Sequence, residues 1–561
     1  MATVSSVGST LHAAGPWDEA MFPVLTSDQL GRLAGQGRKR FVDPGEVLLD
    51  VGDQPPGIFV VTNGRLEVVR PDGVRQDLVR ELGPGQFSGE VSTLSGQPAM
   101  VRIRAVVSSE VIEIDRDRLL SIVQTDPDLS DVLMRAYLLR RVELVARGIG
   151  DAVLVGSNHC AGTLRIRDFL TRNNHPYAVI DLDRDTHAEE MLDRFKVSLA
   201  DIPVLICRGQ VVLRNPSNQQ IADCLGFNRA IDTTKARDLV IVGAGPSGLA
   251  AAVYGASEGL DVLVVEATAP GGQAGASSKI ENYLGFPTGI SGHDLAAAAQ
   301  AQVQKFGAQL MVARSATRLA CGRMPYEVGI DGTLQVAARA VIIATGAQYR
   351  KLAVDNLVPF EGAGVYYSAT PMEAQLCRDE EVVIVGGGNS AGQAAVFLAE
   401  TAKRVHVLIR SDGLARSMSR YLILRIEQHP SIVLHRSTEV VTLEGHRHLE
   451  RVTWRDTRGG ESETQEIRHL FVMAGAVPNT RWLEGCVALD GKGFIKTGAD
   501  LTQEDLASAR WPLTRMPFLL ETSLPRVFAV GDVRSGNLKR VASAVGEGSI
   551  AVSLVHRALS E

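Results

Sequence analysis

The stretch Asp238-Leu-Val-Ile-Val-Gly243-Ala-Gly245-Pro246-Ser247-Gly248-Leu-Ala-Ala-Ala252 constrains this chain more than any other. Leu239 to Val242 are consecutive apolar residues, the mark of a strand buried on both faces. Glycines follow at G-x-G-x-x-G spacing, and an alanine-rich helical run starts at once. Gly243 permits the tight turn. Gly245 lets the backbone approach a pyrophosphate, which the free N–H groups of the following helix stabilise. Gly248 lets helix and strand pack closely. A second apolar run, Val262 to Val265, ends in Glu266, whose carboxylate suits a ribose diol. A second loop of this kind follows at Val382-Val-Ile-Val-Gly386-Gly387-Gly388-Asn389-Ser390-Ala391-Gly392. Two dinucleotide folds are therefore expected.

Composition narrows the class. The 561 residues are 45% hydrophobic and 22% charged, ordinary for a soluble globular protein. The net charge of −6 offers nothing global to nucleic acid or to an anionic membrane. No apolar run is long enough to span a bilayer, and the first residues lack the basic start and apolar core of a signal peptide. Six cysteines are scattered without a C-x-x-C. That pattern suits mostly free thiols and a cytoplasmic location.

From Phe41 to Ile114, short alternating strands are split by turns at Pro44-Gly45, Gly52-Asp53, Asn63-Gly64, Pro71-Asp72-Gly73 and Gly83-Pro84-Gly85. A compact antiparallel barrel or jelly roll is expected, flanked by helical stretches before Arg38 and from Arg116 to Arg147. With Asp43-Pro-Gly45-Glu46 and Phe87-Ser-Gly89-Glu90, residues 20–148 resemble a cyclic-nucleotide-binding domain. The resemblance implies a nucleotide-like ligand at Glu90, which would bind the ribose hydroxyl. The family's phosphate-binding Arg has no match, because alignment on Arg104-Ala105 puts Ala99 or its neighbours there. Arg102 lies nearby, and strand alternation can turn it elsewhere.

Residues 150–228 read as strand (Ala152 to Gly156), helix (Thr163 to Asn173), strand (Tyr177 to Leu182) and helix (Glu189 to Phe195). A hairpin about Arg208-Gly209 and a closing helix from Ser217 to Leu225 follow. The order resembles a thioredoxin or glutaredoxin domain, with Ile202-Pro203 at the family's cis-proline. The family's C-x-x-C would open the first helix. Here Cys160 is present and Thr163 stands at the resolving position. Cys160 is either a monothiol or an inert remnant, while Cys207 and Cys224 look like core cysteines.

Further features follow downstream: Gly271-Gly272-Gln273, Glu281-Asn282-Tyr283, a buried strand ending at Thr345-Gly346, and Val530-Gly531-Asp532, then Lys539-Arg540-Val541. Residues 236–561 resemble the low-molecular-weight thioredoxin reductase family. The resemblance implies FAD held by Gly243, Gly245, Pro246, Ser247, Gly248, Glu266, Gly272, Gln273, Asn282, Gly346 and Asp532. Lys539, Arg540 and Val541 replace the family's Arg-Gln-Ala at the flavin edge. Gly386, Gly388, Asn389, Ser390, Ala391 and Arg410 would hold NADPH, with NADH open because one Arg remains of the family's His-Arg-Arg run. The fold implied is multidomain α/β and α+β: the barrel, the thioredoxin-like domain, then two Rossmann-like three-layer domains. The FAD domain is split at 236–353 and 483–561, around an NAD(P)H domain at 354–482.

The chemical departure lies at Tyr366-Tyr367-Ser368-Ala369-Thr370-Pro371. The family places Cys-Ala-Thr-Cys there as a relay between flavin and partner. Ser and Pro cannot form a disulfide, and Cys377 reads as packed on a helix. The expected function is therefore an FAD-dependent NAD(P)H oxidoreductase that passes electrons to a protein or small-molecule acceptor without its own dithiol. The alternatives are a disulfide reductase using Cys160 as its catalytic thiol, and a nucleotide- or redox-responsive regulatory flavoprotein. The family's habit implies a homodimer. Gly498 to Leu520 reads as an added loop, over the flavin or against the barrel.

Overall fold

The computed structural model describes residues 16–72, 75–148, 150–157, 160–182, 201–208, 211–446, 448–483 and 485–561. The chain divides into two compact units, 1–151 and 152–561.

The first unit is β-rich. Helices α1 (Pro16–Met21) and α2 (Ser27–Gln36) precede strands β1 (Arg38–Val42), β2 (Val47–Leu49), β3 (Gly57–Asn63), β4 (Leu66–Asp72) and β5 (Arg75–Leu82). Helix α3 (Val91–Ser95), strands β6 (Arg102–Ala105) and β7 (Ser109–Asp115), and helices α4 (Arg116–Thr125) and α5 (Pro127–Ala146) complete it. Two sheets face each other, ordered β1-β7-β3 and β2-β6-β4-β5. Phe59, Val61, Leu66, Leu82 and Ile103 fill the space between them. The helical stretch expected from Arg116 to Arg147 is broken. Asp126 sits before a proline, which drives it out of the α region to φ −111°, and its side chain then caps α5 through the Leu129 amide.

The second unit opens with a four-stranded sheet, ordered β11-β10-β8-β9. Its strands are β8 (Ala152–Gly156), β9 (Tyr177–Asp181), β10 (Val204–Cys207) and β11 (Val211–Arg214). Helix α6 (Ala161–Arg172) buries Ile166, Phe169 and Leu170 against β8 and β10, and α7 (Asn218–Leu225) closes the layer. The helix expected at 189–195 lies outside the described residues.

Downstream, a parallel core carries β12 (Arg237–Val242) between β13 (Val262–Val265) and β17 (Leu334–Ile343). Strand β14 (Gln309–Met311) extends it on one side, and β16 (Tyr326–Ile330) and β15 (Ala316–Ala320) on the other. Helices α8 (Pro246–Ser257) and α9 (Gly292–Lys305) cover this sheet. The chain leaves through β18 (Ala347–Tyr349) and builds a second parallel sheet, ordered β19-β26-β20-β21-β22. Its strands are β19 (Val365–Tyr366), β20 (Glu381–Val385), β21 (Arg404–Ile409), β22 (Ile432–Arg436) and β26 (His469–Val472), with β23 (Thr438–Gly445), β24 (Leu449–Asp456) and β25 (Ser462–Gln465) as a separate meander. Helices α10 (Pro371–Leu376), α11 (Asn389–Leu398) and α12 (Arg420–Gln428) pack on it. The chain returns through β27 (Ala476–Pro478), paired with β18. Helix α13 (Gln503–Ser508) follows. Strand β28 (Val527–Ala529) then rejoins β17, and helix α14 (Val541–Ser560) packs on α8.

The expectation of mostly free thiols holds for four of the six cysteines. Cys321, just past β15, and Cys486 form a disulfide across 165 residues of sequence. The stretch Gly498 to Leu520 carries α13, and its far end is pinned to the last helix. Phe518 lies between the guanidinium groups of Arg515 and Arg557, at 3.8 and 4.5 Å. Among the described residues no helix is long and apolar enough to cross a membrane.

Candidate functional site

The first glycine loop joins β12 to α8. Gly243 has φ +106°, and a Cβ there would meet the Ala344 carbonyl at 2.3 Å, so this turn admits only glycine. Gly245, the N-cap of α8, differs. A Cβ there would find only the Cα of Gly272, at 3.9 Å. An open cradle therefore faces the free N–H groups of α8, the donor set an anionic diphosphate needs. Pro246 takes the first helical position, where its missing N–H costs nothing. Ser247 is buried, with its Oγ on the side where a Cβ at Gly531 would fall. Glu266 closes β13. Its carboxylate accepts from the Ala244 amide at 2.7 Å and the Thr268 amide at 2.9 Å. Burial nonetheless pushes its pKa up. Burial likewise raises Asp532, against the opposing charge of Lys539 at 3.9 Å.

Gln273 donates to the Ala347 carbonyl of β18 at 3.4 Å. Gly346, at φ +61°, faces open space beside it. Asn282 is exposed, next to Glu281, which pairs with Arg425 of α12 at 2.6 Å. Lys539 and Arg540 are exposed before Val541, which opens α14, and no side chain caps that helix. Glu547 on α14 went unread in the sequence. It accepts from the Gly531 amide at 2.7 Å and from Arg534 and Asn537 at 2.6 and 2.8 Å. A lone acid within the small-residue run Ala544-Val-Gly-Glu547-Gly548 was the available signal.

The second loop repeats the pattern between β20 and α11. A Cβ at Gly386 would strike the Met473 carbonyl at 2.5 Å, whereas one at Gly388 meets nothing nearer than 4.0 Å. Asn389 uses its side-chain oxygen to hold the Ser419 amide at 2.7 Å, and Ala391 is buried beneath the loop. Arg410 is exposed past the end of β21. Burial raises the pKa of Tyr349 on β18, with Ser390 of the second loop opposing the rise and the charge of Asp532 adding to it.

Ser368 to Pro371 lead from β19 into α10. Thr370 caps α10, with its amide on Glu373 at 2.8 Å. Cys377 is fully buried, its Sγ on the Glu373 carbonyl at 3.1 Å, and burial pushes its thiol up to about 12. It cannot act as an accessible thiol in the folded chain.

Cys160 is partly exposed at the N-cap of α6. The Ile202–Pro203 bond beside it is cis, and a Cβ at Gly162 would fall 2.9 Å from the Pro203 ring. Helix α6 also meets residues far downstream. Ala161 meets Gly362, just before β19, and the charge of Asp168 adds to the burial that raises the Glu373 pKa. Arg172 donates to the Gly272 carbonyl at 3.1 Å.

In the first unit, Glu90 lies beside Arg141 at 3.5 Å. Arg102 is drawn off by Asp50, through bonds of 2.9 and 2.7 Å. Among the described residues no cluster of metal-ligating side chains occurs.

A family model described as pyridine nucleotide-disulphide oxidoreductase matches residues 237–548, and one described as cyclic nucleotide-binding domain matches residues 39–126. The chain is similar to a thioredoxin reductase of Streptomyces clavuligerus, 33% identical over 325 residues, 58% of this chain and 94% of the relative. It is also similar to the NADPH-dependent thioredoxin reductase 3 of Arabidopsis thaliana, 29% identical over 63% of this chain and 66% of that one. The solved thioredoxin reductase of T. acidophilum is 27% identical, with a TM-score of 0.51 over 57% of this chain and 98% of its own.

Proposed function

The chain belongs to the pyridine nucleotide-disulphide oxidoreductase family and is a thioredoxin reductase-like, NAD(P)H-dependent flavoprotein oxidoreductase; from that premise we propose that it passes electrons from NADPH through FAD to an acceptor without a dithiol of its own beside the flavin. Bound FAD would supply the hydride and electron chemistry. The cradle at Gly243, Gly245 and Gly248 would take its pyrophosphate, with Ser247 buried beneath and Glu266 on the ribose. Gln273, Gly346 and Asp532 would line its inner half. Lys539 and Arg540 would bring positive charge to the uncapped start of α14, where anionic charge is stabilised. Gly386, Gly388, Asn389 and Ala391 would cradle the nicotinamide nucleotide, with Arg410 at the 2′-phosphate and NADH as the alternative donor.

The observation that carries this reading is the pair of open glycine cradles. A Cβ at Gly245 would meet nothing nearer than 3.9 Å and one at Gly388 nothing nearer than 4.0 Å, each at the start of a helix that follows a buried parallel strand. Ser368 and Pro371, where the resemblance would put the relay cysteines, support the lack of a dithiol. Anaerobic titration tests the reading. NADPH should bleach the flavin in full with two electrons per FAD, and a one- or two-electron dye should then discharge it. A flavin that neither NADPH nor NADH reduces would sink the proposal.

The docking of α6 favours a second reading, in which residues 150–228 form a thioredoxin-like domain whose Cys160 receives the electrons. Its support is the packing of Gly162 on the Pro203 ring and the approach of Ala161 to Gly362. Cys160→Ser separates the two. It should abolish reduction of a disulfide substrate under the second reading and leave dye reduction intact under both.

A further inference from the structure

The barrel encloses a cavity of about 180 Å³, walled by Leu49, Val68, Leu82, Phe87, Met100 and Ile103. Those walls are apolar. The charged groups that line it sort almost completely into pairs. Asp18 is held by Arg80 at 3.0 Å, Glu90 by Arg141 at 3.5 Å, and Glu143 by Arg147 on the next turn of α5. Among the described residues, Arg140 is the cation of this cavity with no carboxylate at ion-pair distance, although the charge of Glu90 reaches it.

Its setting is built. Arg140 is 6% exposed. Nε donates to the Met21 carbonyl at 2.9 Å and Nη1 to the Gly89 carbonyl at 2.7 Å. The guanidinium plane is fixed between the rings of Phe22 and Phe87, at 4.8 and 4.6 Å. Nη2 is buried and has no partner. A buried charged donor left unpaired is costly, and an anion brought to it recovers that cost.

A cyclic nucleotide fits these facts badly. Its ribose needs a carboxylate with capacity to spare, and Glu90 already faces a buried guanidinium. Its phosphate needs a cation at the position of Ala99, which is a buried apolar wall, and Arg102 is held away by Asp50. A molecule with an apolar body and one anionic end suits both the walls and the Arg140 guanidinium that lines them. We propose that the barrel binds a small apolar carboxylic acid, its alkyl or aryl body against Val68, Leu82 and Ile103 and its carboxylate on Arg140.

Calorimetry on the full-length protein tests this, with octanoate and phenylacetate as probes and octanol, cAMP and cGMP as comparisons. At least one acid should bind and raise the melting temperature. Octanol should bind about tenfold or more weakly than octanoate, the scale of one charged hydrogen bond. Arg140→Leu should erase that difference. If that variant fails to fold, Arg140→Lys keeps the charge without Nη2 and should weaken octanoate while sparing octanol. Equal binding of octanol and octanoate overturns the proposal. So does the absence of acid binding up to millimolar concentration, or micromolar binding of either cyclic nucleotide.

Discussion

Ala161 and Gly362 touch: a Cβ built on Gly362 would lie 3.0 Å from the Cβ of Ala161, at the start of α6. Gly362 has φ +76°, so a branched residue there is strained as well as crowded. Gly362→Val should therefore loosen α6 from its seat. Hydrogen exchange of the α6 amides should rise by about tenfold or more, while NADPH still bleaches the flavin. Unchanged protection of α6 would show that the contact does not hold the segment in place.

Thiol chemistry should sort the cysteines by burial. Denatured, unreduced protein should titrate four thiols, because Cys321 and Cys486 are joined and the remaining four are free. In the folded protein, iodoacetamide at pH 8 should label Cys160 and spare Cys207 and Cys377, both fully buried. Six thiols in the unreduced count would remove the disulfide. Cross-linking across so long a loop should also stabilise: reduction by dithiothreitol should cost about 2–5 kcal/mol.

The segment before β28 rests on one buried acid. Glu521 is fully buried and accepts from Arg515 at 2.6 Å, from the Phe518 amide at 2.9 Å and from the Arg526 amide at 2.9 Å. Removing Arg515 leaves that carboxylate buried with its charge unmatched. Arg515→Ala should destabilise by about 3–5 kcal/mol in urea unfolding. A loss below about 1 kcal/mol would mean that water replaces the guanidinium.

How much of this was legible depended on distance along the chain. Gly243, Gly245 and Glu266 were readable because strand, turn, helix and acid fall within one short βαβ unit. The break at Asp126 was also local, since the residue before Pro127 is barred from the helix. Cys321 and Cys486 were not readable, because the whole second parallel sheet lies between them in sequence, while Cys321 follows β15 of the first sheet and Cys486 packs on it. The seat of α6 was hidden for a related reason. The sequence showed this stretch only as a helix, and the packed unit alone gives Asp168 and Arg172 the neighbours Glu373 and Gly272. Arg140 was masked by α5 itself. Its apolar and charged residues do not separate cleanly around the helix, so nothing in the pattern marked one guanidinium as buried.

Glu266 gives the site a pH signature whose sign can be worked out. Burial raises its pKa, while the Ala244 and Thr268 amides and the charge of Arg172 oppose the rise. In the cofactor-free fold the ionised form is therefore disfavoured relative to the unfolded chain. The contribution of Glu266 to stability is complete below the ordinary glutamate range and is lost as pH rises through the raised value. A ribose diol donating to the carboxylate favours the ionised form instead, so proton and FAD compete. FAD affinity should rise with pH through the Glu266 titration and then level off. Fluorescence-quench titration of apoprotein with FAD between pH 5 and pH 8 reads this directly. Glu266→Gln should bind more weakly at pH 8 and show a flat profile. A wild-type affinity that does not change across that interval would place the ribose elsewhere.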